Sequence, residues 1–223
     1  MKLAVDAIVF GYSREDGVSV LLIQRKYHPF KGGWAIPGGF VLEDESLEEA
    51  VSRELMEETG VEANYLEQLY TFGDPGRDPR HRVVSVAYFG LVKSSEYQQL
   101  KASTDAENAQ WFSIKKLPPL AFDHRQIIGV AIQRLQAKIR YQPVGFELLD
   151  KQFPFSDLEQ LYTALLDRPI NRRNFSKKIL SFGFLEETGE LSASGGKGRP
   201  SKMFRFNQKR YKELLKGGFH FEV

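Results

Sequence analysis

Three glutamates carry the clearest chemical signal in this 223-residue chain. Glu54, Glu57 and Glu58 stand at i, i+3 and i+4 in the run Arg53-Glu54-Leu55-Met56-Glu57-Glu58, so on a helix all three project from one face. Like charges this close destabilise a helix unless something neutralises them. A hard divalent cation is the natural partner, because Mg²⁺ takes carboxylate oxygens and keeps some waters for substrate phosphates. Mn²⁺ is an alternative of the same kind. Taken alone, three glutamates read better as a solvated acidic surface. What precedes them shifts the balance: Pro37 leads into Gly38 and Gly39, whose missing side chains let backbone approach an ion or a phosphate closely. The chemistry of such a site is the bridging of a diphosphate by cations and the activation of a water for attack on phosphorus.

The glutamates need a rigid carrier, and residues 46–59 read as a helix. Ser46 with Glu49 makes a capping box, and Gly60 is a stop signal. Leu47, Ala50, Val51, Leu55 and Met56 supply an apolar stripe at helical spacing. Strand patterns cover residues 5–10, 18–24, 65–72, 83–92 and 110–114, and residues 125–139 read as a second helix. Residues 34–41 form a short apolar segment broken by Pro37, Gly38 and Gly39.

The string from Gly39 to Val61 resembles the Nudix box, G-x5-E-x7-R-E-U-x-E-E-x-G-U, where U is a bulky aliphatic residue. Gly39, Glu45, Arg53, Glu54, Leu55, Glu57, Glu58, Gly60 and Val61 fill every fixed position, a far more specific match than a lone glycine loop. The resemblance implies an α/β/α sandwich. It implies Glu54, Glu57 and Glu58 as metal ligands and catalytic groups, with Glu58 or Glu54 nearest the chemistry and the Gly38 carbonyl as an extra ligand. Gly39, Glu45, Arg53 and Gly60 are then structural, Arg53 by pairing with a carboxylate of the box.

Arg77 and Arg80 flank Asp78 in the loop between the strand patterns at 65–72 and 83–92. Arginines fork onto phosphates and an aspartate accepts ribose hydroxyls, although surface loops are often charged for no such reason. This segment resembles the G-R-D-P-R loop of ADP-ribose pyrophosphatases. Asp105-Ala106 through Trp111-Phe112 resembles their D-A-x-x-A-x-W-F stretch, and residues 120–124 their L-A-F-D-H stretch. The likeness favours ADP-ribose, or a related nucleoside diphosphate, with Arg77, Asp78, Arg80 and His124 as substrate contacts. A hydrogen-bonded structural histidine at a helix start is the competing reading of His124.

Charge divides the chain. Residues 151–223 hold 14 Lys and Arg against 8 Asp and Glu, whereas residues 1–150 hold 17 against 21. An acidic part before a basic one suits two jobs. Prolines and a glycine in residues 141–154 read as the connection, giving domains at 1–142 and 143–223. Helices at 156–166 and 171–182 then precede a hairpin, 184–191 with 202–207, around the glycine-rich tip 194–198; a short helix at 208–215 ends the chain. Helix, helix and basic hairpin is the order of a winged helix-turn-helix. Arg172, Arg173, Asn174, Lys177 and Lys178 on the second helix, with Lys197 and Arg199 on the tip, are the candidate DNA contacts. A solvated basic appendage used for dimerisation is the alternative.

This layout resembles the Nudix-related transcriptional regulators of NAD metabolism, the NrtR family, through Asp167 to Phe175 and through Gly198-Arg199-Pro200. The family implies a homodimer on a palindromic double-stranded operator, released by ADP-ribose. Many members have damaged boxes and only bind their effector; this chain keeps every box residue, which leaves hydrolysis and sensing both open. The absence of cysteine excludes disulfides, thiol catalysis and Cys-ligated metal sites. No run approaches the roughly 18 apolar residues of a membrane span, and residues 1–10 read as a strand rather than a signal peptide. A cytoplasmic location without a membrane partner is expected.

Overall fold

The computed structural model describes residues 1–63, 66–97, 100, 106–192, 200–218 and 221. It separates into two compact units, Met1–Arg134 and Leu135–Val223.

The first unit is built on a seven-stranded mixed sheet. Its centre is β1 (Lys2–Ser13), buried continuously from Ala4 to Tyr12. On one edge β1 runs parallel to β6 (Val83–Val92) along the register Lys2↔Val83 to Gly11↔Val92, and β6 carries β5 (Leu66–Phe72). The other edge changes partner. Ala4 to Asp6 pair with β4 (Gly38–Phe40), whereas Phe10 to Ser13 pair with β2 (Gly17–Arg25). Beyond β2 lie β3 (Trp34–Ala35) and β7 (Ala106–Ser113). β7 begins earlier than the sequence pattern indicated, because the small Ala106 and Ala109 are the residues it buries and they carry little hydrophobic signal.

Side chains alternate faces along a strand, so Val5, Ala7 and Val9 of β1 all turn to one side. There they pack with Val86 and Tyr88 of β6 against Ala50, Val51 and Leu55 of α1 (Leu47–Thr59). Each fully buried aliphatic side chain of this kind contributes about 1.5–3 kcal/mol. The helix is fixed at both ends. Ser46 Oγ accepts from the Glu49 N–H while Glu49 accepts from the Ser46 N–H, and Gly60 closes it in the left-handed region at φ 71°, a position glycine occupies without Cβ strain. Met56, assigned to the apolar stripe, is instead 43% exposed; the buried stripe turns toward Glu58 and Thr59. Asp6, on the other face of β1, meets His124 at the start of α2 (His124–Tyr141).

The division between the units falls inside α2, after Arg134. Residues 142–154 are not the slack connection their prolines and glycine suggest: Phe146, Leu148 and Phe153 are core residues, and Phe153–Pro154 form a short strand, β8. In the second unit α3 (Phe155–Leu166) and α4 (Arg172–Ser181) precede β9 (Leu185–Leu191) and β10 (Lys202–Phe206), which join β8 in the order β8-β10-β9. α5 (Gln208–Lys216) follows. Aromatic rings dominate this core: Phe146 stacks on Phe206 at 4.3 Å, and Phe175 of α4 lies 5.0 Å from Tyr162 and 5.8 Å from Phe155 of α3. Two helices and a three-stranded hairpin sheet make a winged helix. The hairpin tip lies outside the described residues. Among those described, no helix is long and apolar enough to cross a membrane.

Candidate functional site

A cavity of about 390 Å³ opens where the edge of β1 changes partners, with Ala4 and Asp6 of β1, Gly38 to Phe40 of β4, and Glu54 and Glu58 of α1 among its lining. The volume lies within the range of small-molecule sites. Glu58 is buried, and one of its carboxylate oxygens accepts the Gly38 N–H at 2.9 Å. Close approach to backbone demands glycine at position 38, and the Glu54 carboxylate crowds position 39. A Cβ on Gly38 would strike the Val5 carbonyl oxygen, and one on Gly39 would strike the Glu54 carboxylate. Glu57 does not line the cavity; its side chain is 53% exposed.

Arg53 organises these carboxylates. Nε and Nη2 fork onto Glu45 at 2.9 and 2.7 Å, and Nη1 reaches Glu54 at 2.9 Å and Glu57 at 3.2 Å. Nη2 also donates to the Phe40 carbonyl, while Glu45 accepts the Leu42 N–H. The guanidinium holds the Glu45 carboxyl down at about 2. At Glu54 burial outweighs Arg53, and its pKa is raised. A carboxylate short of solvent gains from any cation brought beside it.

The loop arginines have different fates. The Arg77 side chain is only 6% exposed, and its fork closes on Asp123 at 2.9 and 2.8 Å, with Asp6 at 3.4 Å. Ser85 Oγ donates to the same Asp6 oxygen. Asp78 is likewise occupied, accepting from the backbone N–H, Nε and Nη2 of Arg80. That clamp leaves the Arg80 guanidinium 6.0 Å from the Phe40 ring and 5.8 Å from the Phe122 ring at the cavity wall. Arg25 stands over the Phe122 ring at 4.9 Å. Sequence reasoning singled out none of Asp6, Arg25, Phe40, Phe122 and Asp123 as site residues. Removing one partner of a buried ion pair strands the other charge. Arg77→Gln is therefore expected to cost about 3–5 kcal/mol in urea denaturation; a loss below about 1 kcal/mol would mean that water reaches the freed carboxylates.

His124 also lines the cavity and is buried. Its Nδ1 accepts the Ile36 N–H at 2.9 Å, which fixes the neutral Nε2–H tautomer, and Nε2 lies 3.8 Å from Asp6. Burial lowers its pKa below the ordinary 6.5, against the pull of Asp6 and Asp123. Above that ordinary value neither folded nor unfolded chain binds a proton here. Below it the unfolded chain protonates first, so stability falls as pH drops. Wild-type unfolding free energy is expected to decline from pH 6.5 downward more steeply than that of His124→Asn; identical pH profiles in urea titrations would exclude His124 as the source.

In the second unit Asn171 caps α4 by accepting the Asn174 N–H. Phe175 and Ile179 are buried, while Arg172, Arg173, Asn174, Lys177 and Lys178 are exposed. Arg172 pairs with Glu159 of α3 at 3.1 Å while remaining 72% exposed. Lys197 and Arg199 lie outside the described residues.

Comparison with known proteins agrees with both units. The NUDIX domain model matches residues 2–131, and the model of the NrtR DNA-binding winged helix domain matches residues 145–206. The chain belongs to the Nudix family, in the group that carries an NrtR winged helix behind the Nudix domain. It is 33% identical over 213 residues to the ADPR responsive transcriptional repressor NtrR of Acinetobacter baylyi, covering 94% of this chain and 83% of that one. Its structure is similar to Shewanella oneidensis NrtR crystallised with a 27mer DNA, with a TM-score of 0.82 at 35% identity, covering 98% of this chain and 97% of that one. Over 126 residues it is 45% identical to the ADP-ribose pyrophosphatase of Methanocaldococcus jannaschii, covering 56% of this chain and 70% of that one.

Proposed function

We propose that this chain is an ADP-ribose-responsive transcriptional repressor whose Nudix unit also hydrolyses its effector, giving AMP and ribose 5-phosphate. The observation that carries the reading is the pair Glu54 and Glu58, set against a glycine pair in a cavity, in the same chain as an exposed basic helix of a winged helix. Similarity to an ADPR responsive repressor and to an ADP-ribose pyrophosphatase supports both halves. Residues 1–142 act as the effector domain and 143–223 as the DNA-binding domain. The protein works as a cytoplasmic homodimer on a palindromic operator of genes of NAD metabolism.

Among the described residues no three acidic or histidine side chains converge into a ready-made metal-holding group; what supports a hard cation is Glu54, which is desolvated and has the side-chain-free surface of Gly39 against it. Glu54, Glu58 and the Gly38 carbonyl would hold Mg²⁺ or Mn²⁺, with Glu57 contributing. When bound, the ions supply charge neutralisation at the diphosphate and an activated water. Arg53 keeps Glu54 and Glu57 turned toward one another despite their like charge. Arg80 offers a guanidinium flanked by aromatic faces to phosphate or base. On DNA, Arg172, Arg173, Asn174, Lys177 and Lys178 face the duplex, with Lys197 and Arg199 on the wing. Coupling is reciprocal: if ADP-ribose weakens DNA affinity by some factor, DNA weakens ADP-ribose affinity equally.

Two assays test this reading. Incubation with ADP-ribose and Mg²⁺ should release AMP and ribose 5-phosphate; effector binding without turnover would leave a repressor alone. A duplex from upstream of the chain's own gene should shift in a gel, and ADP-ribose should reverse the shift. Turnover without any shift at low salt would leave an enzyme whose second unit serves dimerisation.

A further inference from the structure

Among the described residues, some cations of the second unit are met by acids and others, including residues of α4 and α5, are not. Arg172, Lys202, Arg205 and Arg210 are met by Glu159, Glu187, Glu186 and Glu213, at 3.1, 2.9, 2.7 and 3.5 Å. Arg173 and Lys177 on α4, and Lys209, Lys212 and Lys216 on α5, have no ion-pair partner among the described residues. The unneutralised charge therefore reaches past α4, onto a helix with no function assigned above.

α5 is strongly two-sided. Tyr211 and Leu214 are half-buried, Tyr211 lying 5.9 Å from Phe184 and 5.8 Å from Phe206. At about 100° per residue Lys209, Lys212 and Lys216 lie on the opposite half of the cylinder. They are separated by three and then four positions, so their Cβ atoms are neighbours on the surface. Glu213 stands on the same flank but is engaged by Arg210 at 3.5 Å, so the like charges, which at that spacing destabilise a helix, are only partly offset. This one has only 9 residues and no fully buried side chain to offset them, and short helices are marginal alone. A polyanion laid along the row reverses the sign of the term. The row is about 10 Å long, enough to lie against about two to three neighbouring phosphates of one DNA strand. α5 also follows β10 directly and shares the aromatic cluster of Phe184 and Phe182 with the end of α4.

We infer that α5 is a phosphate-binding element of the DNA interface: Lys209, Lys212 and Lys216 seat on the sugar–phosphate backbone, adding affinity without reading sequence. The inference rests on the DNA-binding reading above. It is tested on the full chain by fluorescence anisotropy with two labelled duplexes, one from upstream of its own gene and one of random sequence. Binding is followed between about 50 and about 200 mM KCl. Lys209→Gln/Lys212→Gln/Lys216→Gln should weaken both complexes by about 10- to 100-fold at the low-salt end and reduce the slope of log affinity against log salt by about 2–3. The triple arginine variant should restore the slope, and Lys212→Gln alone should lower it by about 1. Lys202→Gln, whose charge Glu187 already meets, should leave it unchanged. A triple glutamine variant that binds both duplexes with wild-type slope overturns the inference. A wild-type chain that binds neither duplex at low salt overturns the DNA reading itself, and this with it.

Discussion

Glu58→Gln should reduce ADP-ribose turnover by about 10²–10⁴-fold and leave DNA affinity within about twofold of wild type. The substitution keeps the shape of the side chain, and its amide oxygen still accepts the Gly38 N–H that Glu58 accepts now. What disappears is one full negative charge beside Glu54, in a cavity where burial already works against anions. A loss of folding is therefore not the expected route to inactivity. Single-turnover release of AMP, read together with duplex anisotropy on one preparation, separates the outcomes. Simultaneous loss of both activities would refute the division of labour between the two units. Retained turnover would mean that Glu54 and Glu57 suffice and that Glu58 only braces the glycine turn.

The second large effect lies at the other end of the chain. Arg173→Ala with Lys177→Ala should weaken operator binding by about 100-fold or more while AMP release continues unchanged. Each lost phosphate or base contact is worth about 1–3 kcal/mol. Both side chains are exposed on α4, opposite the buried Phe175 and Ile179, and neither is neutralised among the described residues. Arg172 behaves differently: its ion pair with Glu159 discounts part of its charge, so Arg172→Ala alone should cost less binding than Arg173→Ala alone. Competition titrations against a labelled operator rank the three variants. An equal ranking would show that the Arg172 pair opens on DNA.

How much of this was legible beforehand follows physical lines. The bounds of α1 could be read because local rules fix them, a capping box at one end and a left-handed glycine at the other, whereas the apolar stripe was misread at Met56. The winged helix was legible from element order and charge. The rest of the cavity lining was not, because it is assembled from distant positions. Arg77 meets Asp123 across 46 residues and Asp6 across 71, and nothing in a lone Asp6 within a hydrophobic strand announces such a partner. The same limit explains Arg77, whose residue type is right for phosphate binding but whose fork is already closed on Asp123. Residues 142–154 misled for the opposite reason: their prolines and glycine look like punctuation, while the phenylalanines among them form the core.

Arg53 is better seen as a template than as a counter-charge. One flat guanidinium satisfies three carboxylates and a main-chain carbonyl at once, each along a different direction fixed by its planar geometry. A lysine, reaching one or two of them as a point charge, would leave the others to push apart. A change as small as Arg53→Lys should thus weaken ADP-ribose hydrolysis without touching any acidic group.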